Sequence, residues 1–173
     1  MKTPLLLLFA LMMPFVASQA FASSDYRLGP GDEIRVAVYD EDDLSMTVKL
    51  TDTGRFTYPY LGVLTAKGKS VQQLEDEIKR GLLQDILVNP SVDVSIMSYR
   101  NFYIGGEVKR SGGYPYEPGL TVKQAITLAG GVTEWASSSK FEILREGSSR
   151  AEPADNNTLV RPGDTVTILE GIF

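Results

Sequence analysis

The sequence predicts an α+β fold made of two small units in tandem, and three features carry that prediction. Short alternating apolar runs, such as Ile34, Val36, Val38 and Val92, Val94, Ile96, have the period of half-buried strands. Two segments have the spacing of an amphipathic helix, and each starts with a capping signature. A Pro-Gly-Asp turn stands before an alternating run twice, at Pro30 and at Pro162.

The first unit opens at Gly29-Pro30-Gly31-Asp32. Proline pre-sets its own φ and the following glycine can take φ > 0, so the tetrapeptide is a turn. Ile34, Val36 and Val38 then form a strand, and Met46, Val48 and Leu50 form another. Asp52-Thr53-Gly54 reads as a hairpin turn, with Phe56 and Tyr58 on the returning strand up to Pro59. A further turn is expected at Lys67-Gly68-Lys69. Ser70-Val71-Gln72-Gln73 is a capping box, after which Val71, Leu74, Ile78 and Leu82 share one helical face. Glu75 and Lys79 are spaced for an exposed i,i+4 pair. Asn89-Pro90 turns the chain into the strand of Val92, Val94 and Ile96.

The second unit repeats the vocabulary. Phe102 and Ile104 begin it, Ser111-Gly112-Gly113 reads as a turn, and Tyr114, Tyr116 and Pro118 read as an edge strand. Thr121-Val122-Lys123-Gln124 is the second capping box, and Gly130-Gly131 ends its short helix. Phe141, Ile143 and Leu144 predict a strand, residues 146–157 a mobile polar loop, and Val166, Ile168 and Ile172 the last strand. Strand pair, helix, strand is an order compatible with a β-grasp.

Composition removes several functions. The 173 residues include no cysteine and no histidine, so thiol nucleophiles, disulfides, sulfur- or imidazole-bound zinc and Ser-His-Asp catalysis are excluded. The net charge of −5 argues against a nucleic-acid partner. Lys2, the apolar run of residues 5–16 and Ala20-Phe21-Ala22 have the layout of a secretory signal peptide over residues 1–22, with cleavage before Ser23. The acidic run Asp40-Glu41-Asp42-Asp43 lacks EF-hand spacing and reads as a solvated loop. Gly105-Gly106 and Gly130-Gly131 fit no phosphate-loop pattern. No catalytic residue, metal ligand or cofactor is assigned. Aromatic residues gather in the second unit, and sugars stack on aromatic faces. Arg100, Asn101, Tyr103, Tyr114 and Tyr116 are therefore the candidate surface for a polysaccharide or a partner.

Taken in order, the motifs resemble a known family. Tyr26 to Asp32, then Asp52-Thr53-Gly54 with Tyr58-Pro59-Tyr60-Leu61-Gly62, then Asn89-Pro90-Ser91-Val92, resemble the polysaccharide export domain of outer-membrane polysaccharide export proteins. Gly105-Gly106-Glu107-Val108, Tyr114, Leu120-Thr121 and Ala129-Gly130-Gly131 resemble the SLBB β-grasp domain that follows it. The resemblance implies domains at residues 23–99 and 100–173. It implies a non-enzymatic periplasmic adaptor that guides capsule or exopolysaccharide across the outer membrane, assembled as a homo-oligomeric ring. The implied partners are the polysaccharide, an inner-membrane polysaccharide co-polymerase and a separate outer-membrane barrel. The chain resembles a short form, without the lipid-anchoring cysteine and the C-terminal pore helix of larger members. Two other readings stand beside it: a free periplasmic carbohydrate-binding module, and a hydrolase using Asp42 or Asp43.

Overall fold

The computed structural model describes residues 26–171. The proposed signal peptide and Ile172 lie outside them. The fold is α+β. The first part contains β1 (Glu33–Val38), β2 (Met46–Lys49), β3 (Arg55–Tyr58), β4 (Gly62–Thr65), α1 (Val71–Asp85) and β5 (Val92–Ser98). The second contains β6 (Phe102–Gly106), β7 (Gly112–Tyr114), α2 (Val122–Leu128), β8 (Ala136–Leu144), β9 (Glu152–Ala154) and β10 (Thr165–Glu170).

In the first part β1 is central in a three-stranded sheet of order β2-β1-β5, antiparallel throughout. The inward set of β1, Ile34, Val36 and Val38, is buried, as period-2 alternation requires. Leu74, Ile78 and Leu82 of α1 join them in one core with Leu28, Phe56, Tyr58 and Val94. The capping box forms: the Gln73 N–H donates to Ser70 Oγ at 3.2 Å and the Ser70 N–H donates to Gln73 Oε1 at 3.0 Å. Glu75 does not serve a helical ion pair. Its Oε1 accepts from the Val94 N–H at 2.9 Å, because the helix lies against β5 and a strand donor there needs a partner. The returning strand after Asp52-Thr53-Gly54 also departs from expectation. β3 does not pair with β2 but with β4, in a separate hairpin that turns at residues 59–61. Thr51 and Gly54 redirect the chain instead, with Gly54 held through the Thr51 carbonyl.

The second part is a five-stranded mixed sheet of order β7-β6-β10-β8-β9 with a parallel β6–β10 pair at its centre. The parallel pair requires a crossover, which carries α2. This is the β-grasp arrangement. Val122, Ala125 and Ala129 pack on Phe102, Ile104, Ile143, Val166 and Ile168 in a second core. The Thr121 capping box also forms, with the Thr121 N–H donating to Gln124 Oε1 at 2.8 Å. Two boundaries shift. The edge strand is Gly112–Tyr114, not Tyr114 to Pro118, because Phe102 pairs with Tyr114 and Tyr103 with Gly113. A side chain at Gly113 would meet the Tyr103 ring at 3.0 Å, so the glycine belongs in the ladder. The polar segment after Leu144 contains β9, which pairs with β8 through Pro153 at the sheet edge. The strand β8 also starts earlier than its apolar pattern suggests, at Ala136.

Tyr58 generates a pH prediction. Its buried hydroxyl donates to the Leu44 carbonyl at 2.7 Å, and burial pushes its pKa from 10.0 up to about 12. Between those values the unfolded chain loses the phenolic proton while the folded chain keeps it, so stability falls as pH rises past 10. Urea titrations at pH 8 and pH 11 should show that fall. Tyr58→Phe should reduce the alkaline slope and cost about 1–3 kcal/mol at neutral pH, because the Leu44 carbonyl loses its donor.

Candidate functional site

The two Pro-Gly-Asp sequences fold into the same device. In the first, the Asp32 N–H donates to the Gly29 carbonyl at 3.2 Å. The Gly29 N–H in turn donates to Asp32 Oδ2 at 2.8 Å. In the second, the Asp164 N–H donates to the Arg161 carbonyl at 3.1 Å and the Arg161 N–H donates to Asp164 Oδ2 at 2.8 Å. Gly31 and Gly163 have φ of +90° and +84°, which glycine takes without strain. Each turn thus ends on a buried carboxylate, the only buried charged side chains among the described residues. A buried charge needs a partner, and each has an arginine. Arg145 Nη1 donates to Asp164 Oδ2 at 2.6 Å, and Arg100 Nη1 donates to Asp32 Oδ2 at 2.9 Å.

Arg100 stands in the three-residue link between β5 and β6, where it can serve both parts. Its backbone N–H donates to Asp32 Oδ1 at 2.8 Å. Its side chain also donates to the Tyr26 hydroxyl, which itself donates to Asp32 Oδ2 at 2.7 Å. From the other side Arg100 Nε donates to Glu146 Oε2 at 3.0 Å, and Nη2 donates to the same oxygen. The guanidinium lies close against Gly29, where a Cβ would approach it to 2.7 Å. One arginine therefore ties the first turn to the loop that follows β8. A row of rings runs beside it: Tyr26 meets Tyr99 edge-on at 5.0 Å, and Tyr99 meets Tyr116 edge-on at 5.3 Å. Burial, then the hydrogen bond to Asp32, raises the Tyr26 pKa far above the ordinary phenol range. Burial also raises that of Tyr116. Both rings stay neutral donors near neutral pH.

Two open clefts flank this joint. One, of about 510 Å³, is lined by Tyr26, Arg27, Arg100, Tyr116, Arg145 and Arg161 among others. The other, of about 480 Å³, is lined by Arg100, Asn101, Tyr103, Lys49 and Pro115 among others. Four of the five sequence candidates thus gather at the joint. Arg100 lines both clefts, Asn101 and Tyr103 the second, and Tyr116 the first. Asn101 also accepts the Gly163 N–H on its carbonyl. Tyr114 does not line either cleft. Its ring stacks on Phe102 at 6.0 Å, and its hydroxyl donates to the Arg110 carbonyl. Sequence reasoning missed Tyr26, Arg27, Asp32, Arg145, Glu146, Arg161 and Asp164. The available signal was the aspartate that closes each repeated turn. The acidic run at residues 40–43 lies at the surface around a single 3-10 turn, with Leu44 buried beneath it.

Comparison with known proteins follows the same division. Residues 20–97 match the family model for Polysaccharide biosynthesis/export protein, and residues 101–153 match that for the SLBB domain. The exopolysaccharide production protein ExoF of Rhizobium meliloti is 33% identical over 168 residues, which cover 87% of this chain and 40% of that relative. The EPS I polysaccharide export outer membrane protein EpsA of Ralstonia nicotianae is 27% identical, covering 84% of this chain and 48% of the relative. EpsA of Ralstonia solanacearum is 24% identical over the same shares. The chain spans less than half the length of these curated relatives.

The two ion pairs of Arg100 should differ sharply in worth. Asp32 is fully buried, and Asp32→Ala removes the buried partner of Arg100 and leaves the Gly29 and Arg100 N–H groups without their acceptor, at a cost of about 3–5 kcal/mol in urea denaturation. Glu146 is half exposed, and Glu146→Gln should cost under about 1 kcal/mol.

Proposed function

The chain belongs to the polysaccharide biosynthesis/export family, and from that premise we propose that it is a periplasmic, non-enzymatic adaptor that guides exopolysaccharide toward and across the outer membrane. The observation that carries this reading is the order of the two domains, export domain then SLBB domain, across most of the chain. Relatives named for exopolysaccharide production and for outer-membrane export support the same process. The chemistry of the described residues supports the non-enzymatic part. Asp32 and Asp164, the carboxylates most shielded from water, each accept from a backbone N–H and from an arginine, which engages them in holding the two turns.

An adaptor of this kind acts through shape and assembly. Its partners would be the polysaccharide, an inner-membrane polysaccharide co-polymerase and a separate outer-membrane barrel, with copies of the chain arranged in a ring. Exposed apolar side chains give such contacts material: Tyr39, Tyr60, Val63 and Val88 are all well exposed on the first domain. No helix among the described residues is long and apolar enough to cross a membrane.

Deleting the gene tests the proposal. Polymer should still be synthesised but should fall at least tenfold at the cell surface and accumulate behind the outer membrane. Normal surface polysaccharide in the deletion strain would refute the export role. Polymer lost from every compartment would refute a role confined to export.

A further inference from the structure

The 510 Å³ cleft at the joint holds more positive charge than the structure uses. Four arginines line it: Arg27, Arg100, Arg145 and Arg161. Arg100 and Arg145 are answered by the carboxylates of Asp32, Glu146 and Asp164. Arg27 is exposed, and among the described residues its guanidinium makes no ion pair and donates to a neutral acceptor, Gln73 Oε1, at 2.9 Å. Arg161 is exposed, and its guanidinium makes no ion pair among the described residues. This excess sits on a chain whose net charge is −5, so the cleft is a positive spot on an acidic protein. Two tyrosines, Tyr26 and Tyr116, stand in the same walls and offer ring edges and neutral hydroxyls. The volume falls within the range of small-ligand sites.

Resting on the export reading, we propose that this cleft is a subsite for an acidic sugar residue of the polymer, with Arg27 and Arg161 receiving its carboxylate. Guanidinium groups pair with carboxylates through two parallel N–H donors, which fixes the orientation of the anion as well as its charge. The arginines committed to Asp32 and Asp164 line the same cleft, so the two guanidiniums without a carboxylate partner among the described residues meet an incoming uronate from opposite domains. Arg27 belongs to the first domain and Arg161 to the second, and a bound carboxylate would bridge them beside the Arg100–Glu146 tie.

Titration calorimetry of the purified chain with tetragalacturonate, and with neutral maltotetraose as control, tests the site. Tetragalacturonate should bind, weaken as salt is raised, and lose about tenfold in affinity in Arg27→Gln and again in Arg161→Gln, the loss expected for one charge-assisted contact. Lys140→Gln, exposed and away from the cleft, should leave binding unchanged. No binding, equal binding of maltotetraose, equal binding of sulfate alone, or unchanged affinity in the double variant would each overturn the proposal. The arms separate this from the export role. If deletion blocks export but the double variant neither binds less nor exports less, the subsite fails and the export reading stands. If the cleft binds tetragalacturonate but deletion leaves export intact, the export reading fails instead.

Discussion

The carboxylate of Asp32 is the constraint on which the rest of the molecule is arranged. It is buried, and left alone it would be one of the costliest groups a small domain could hold. It accepts from the Gly29 N–H, the Arg100 N–H, the Arg100 guanidinium and the Tyr26 hydroxyl, which fills its capacity. Those donors come from the turn before β1 and from the link after β5, 68 residues apart in sequence. Satisfying one charge therefore fixes where the first domain ends and in which direction the second begins. The guanidinium packs so close to Gly29 that a side chain there would displace it, and the turn itself favours glycine at Gly31 through its φ of +90°.

Asp164 shows which part of this arrangement is general and which is particular. Its turn has the same backbone bonds and the same buried carboxylate. Its arginine, Arg145, comes from the same domain, at the end of β8, and so it stabilises one domain without joining two. The joint arises because the neighbour of Arg145, Glu146, lies against Gly163 of the second turn and accepts from Arg100. Two adjacent residues of opposite charge thus connect both turns: Arg145 secures the second and Glu146 reaches the arginine of the first. The Tyr26, Tyr99 and Tyr116 rings reinforce the connection with edge-to-face contacts, worth about 0.5–1.5 kcal/mol each.

What could be read from the sequence was what is local in the chain. Both capping boxes, both Pro-Gly-Asp turns and the alternating strands β1, β5 and β10 depend on neighbours within four residues or on a simple period, and all were legible. The resemblance of the ordered motifs to an export domain followed by an SLBB domain was legible for the same reason. The partner of Asp32 was not, because nothing near residue 32 announces Arg100. Glu75 looked like half of a surface pair since Lys79 stands four residues on, and only the packing of α1 on β5 shows that Val94 claims it. The strand β9 was hidden by Pro153 and by its polar surroundings, because an edge strand needs little apolar pattern to pair with β8. Arg100 was selected as a surface residue beside aromatic groups. Its geometry shows a residue that belongs first to the joint, and only through the joint to the clefts.

That order of roles bears on how two small domains in one chain can be held in register. Two small cores joined by a three-residue link would not hold their surfaces at fixed positions by the link alone. The polar network at the joint supplies the missing constraint. It is strong at its buried end, where Asp32 is shielded from water and salt, and weak at its exposed end, where Glu146 is screened. The Gly163 N–H donating to the Asn101 carbonyl and the Tyr26, Tyr99 and Tyr116 rings hold the same joint beside it. The open cleft lies against both members of the exposed pair, Arg100 and Glu146, and so against the one arginine that the two ends share.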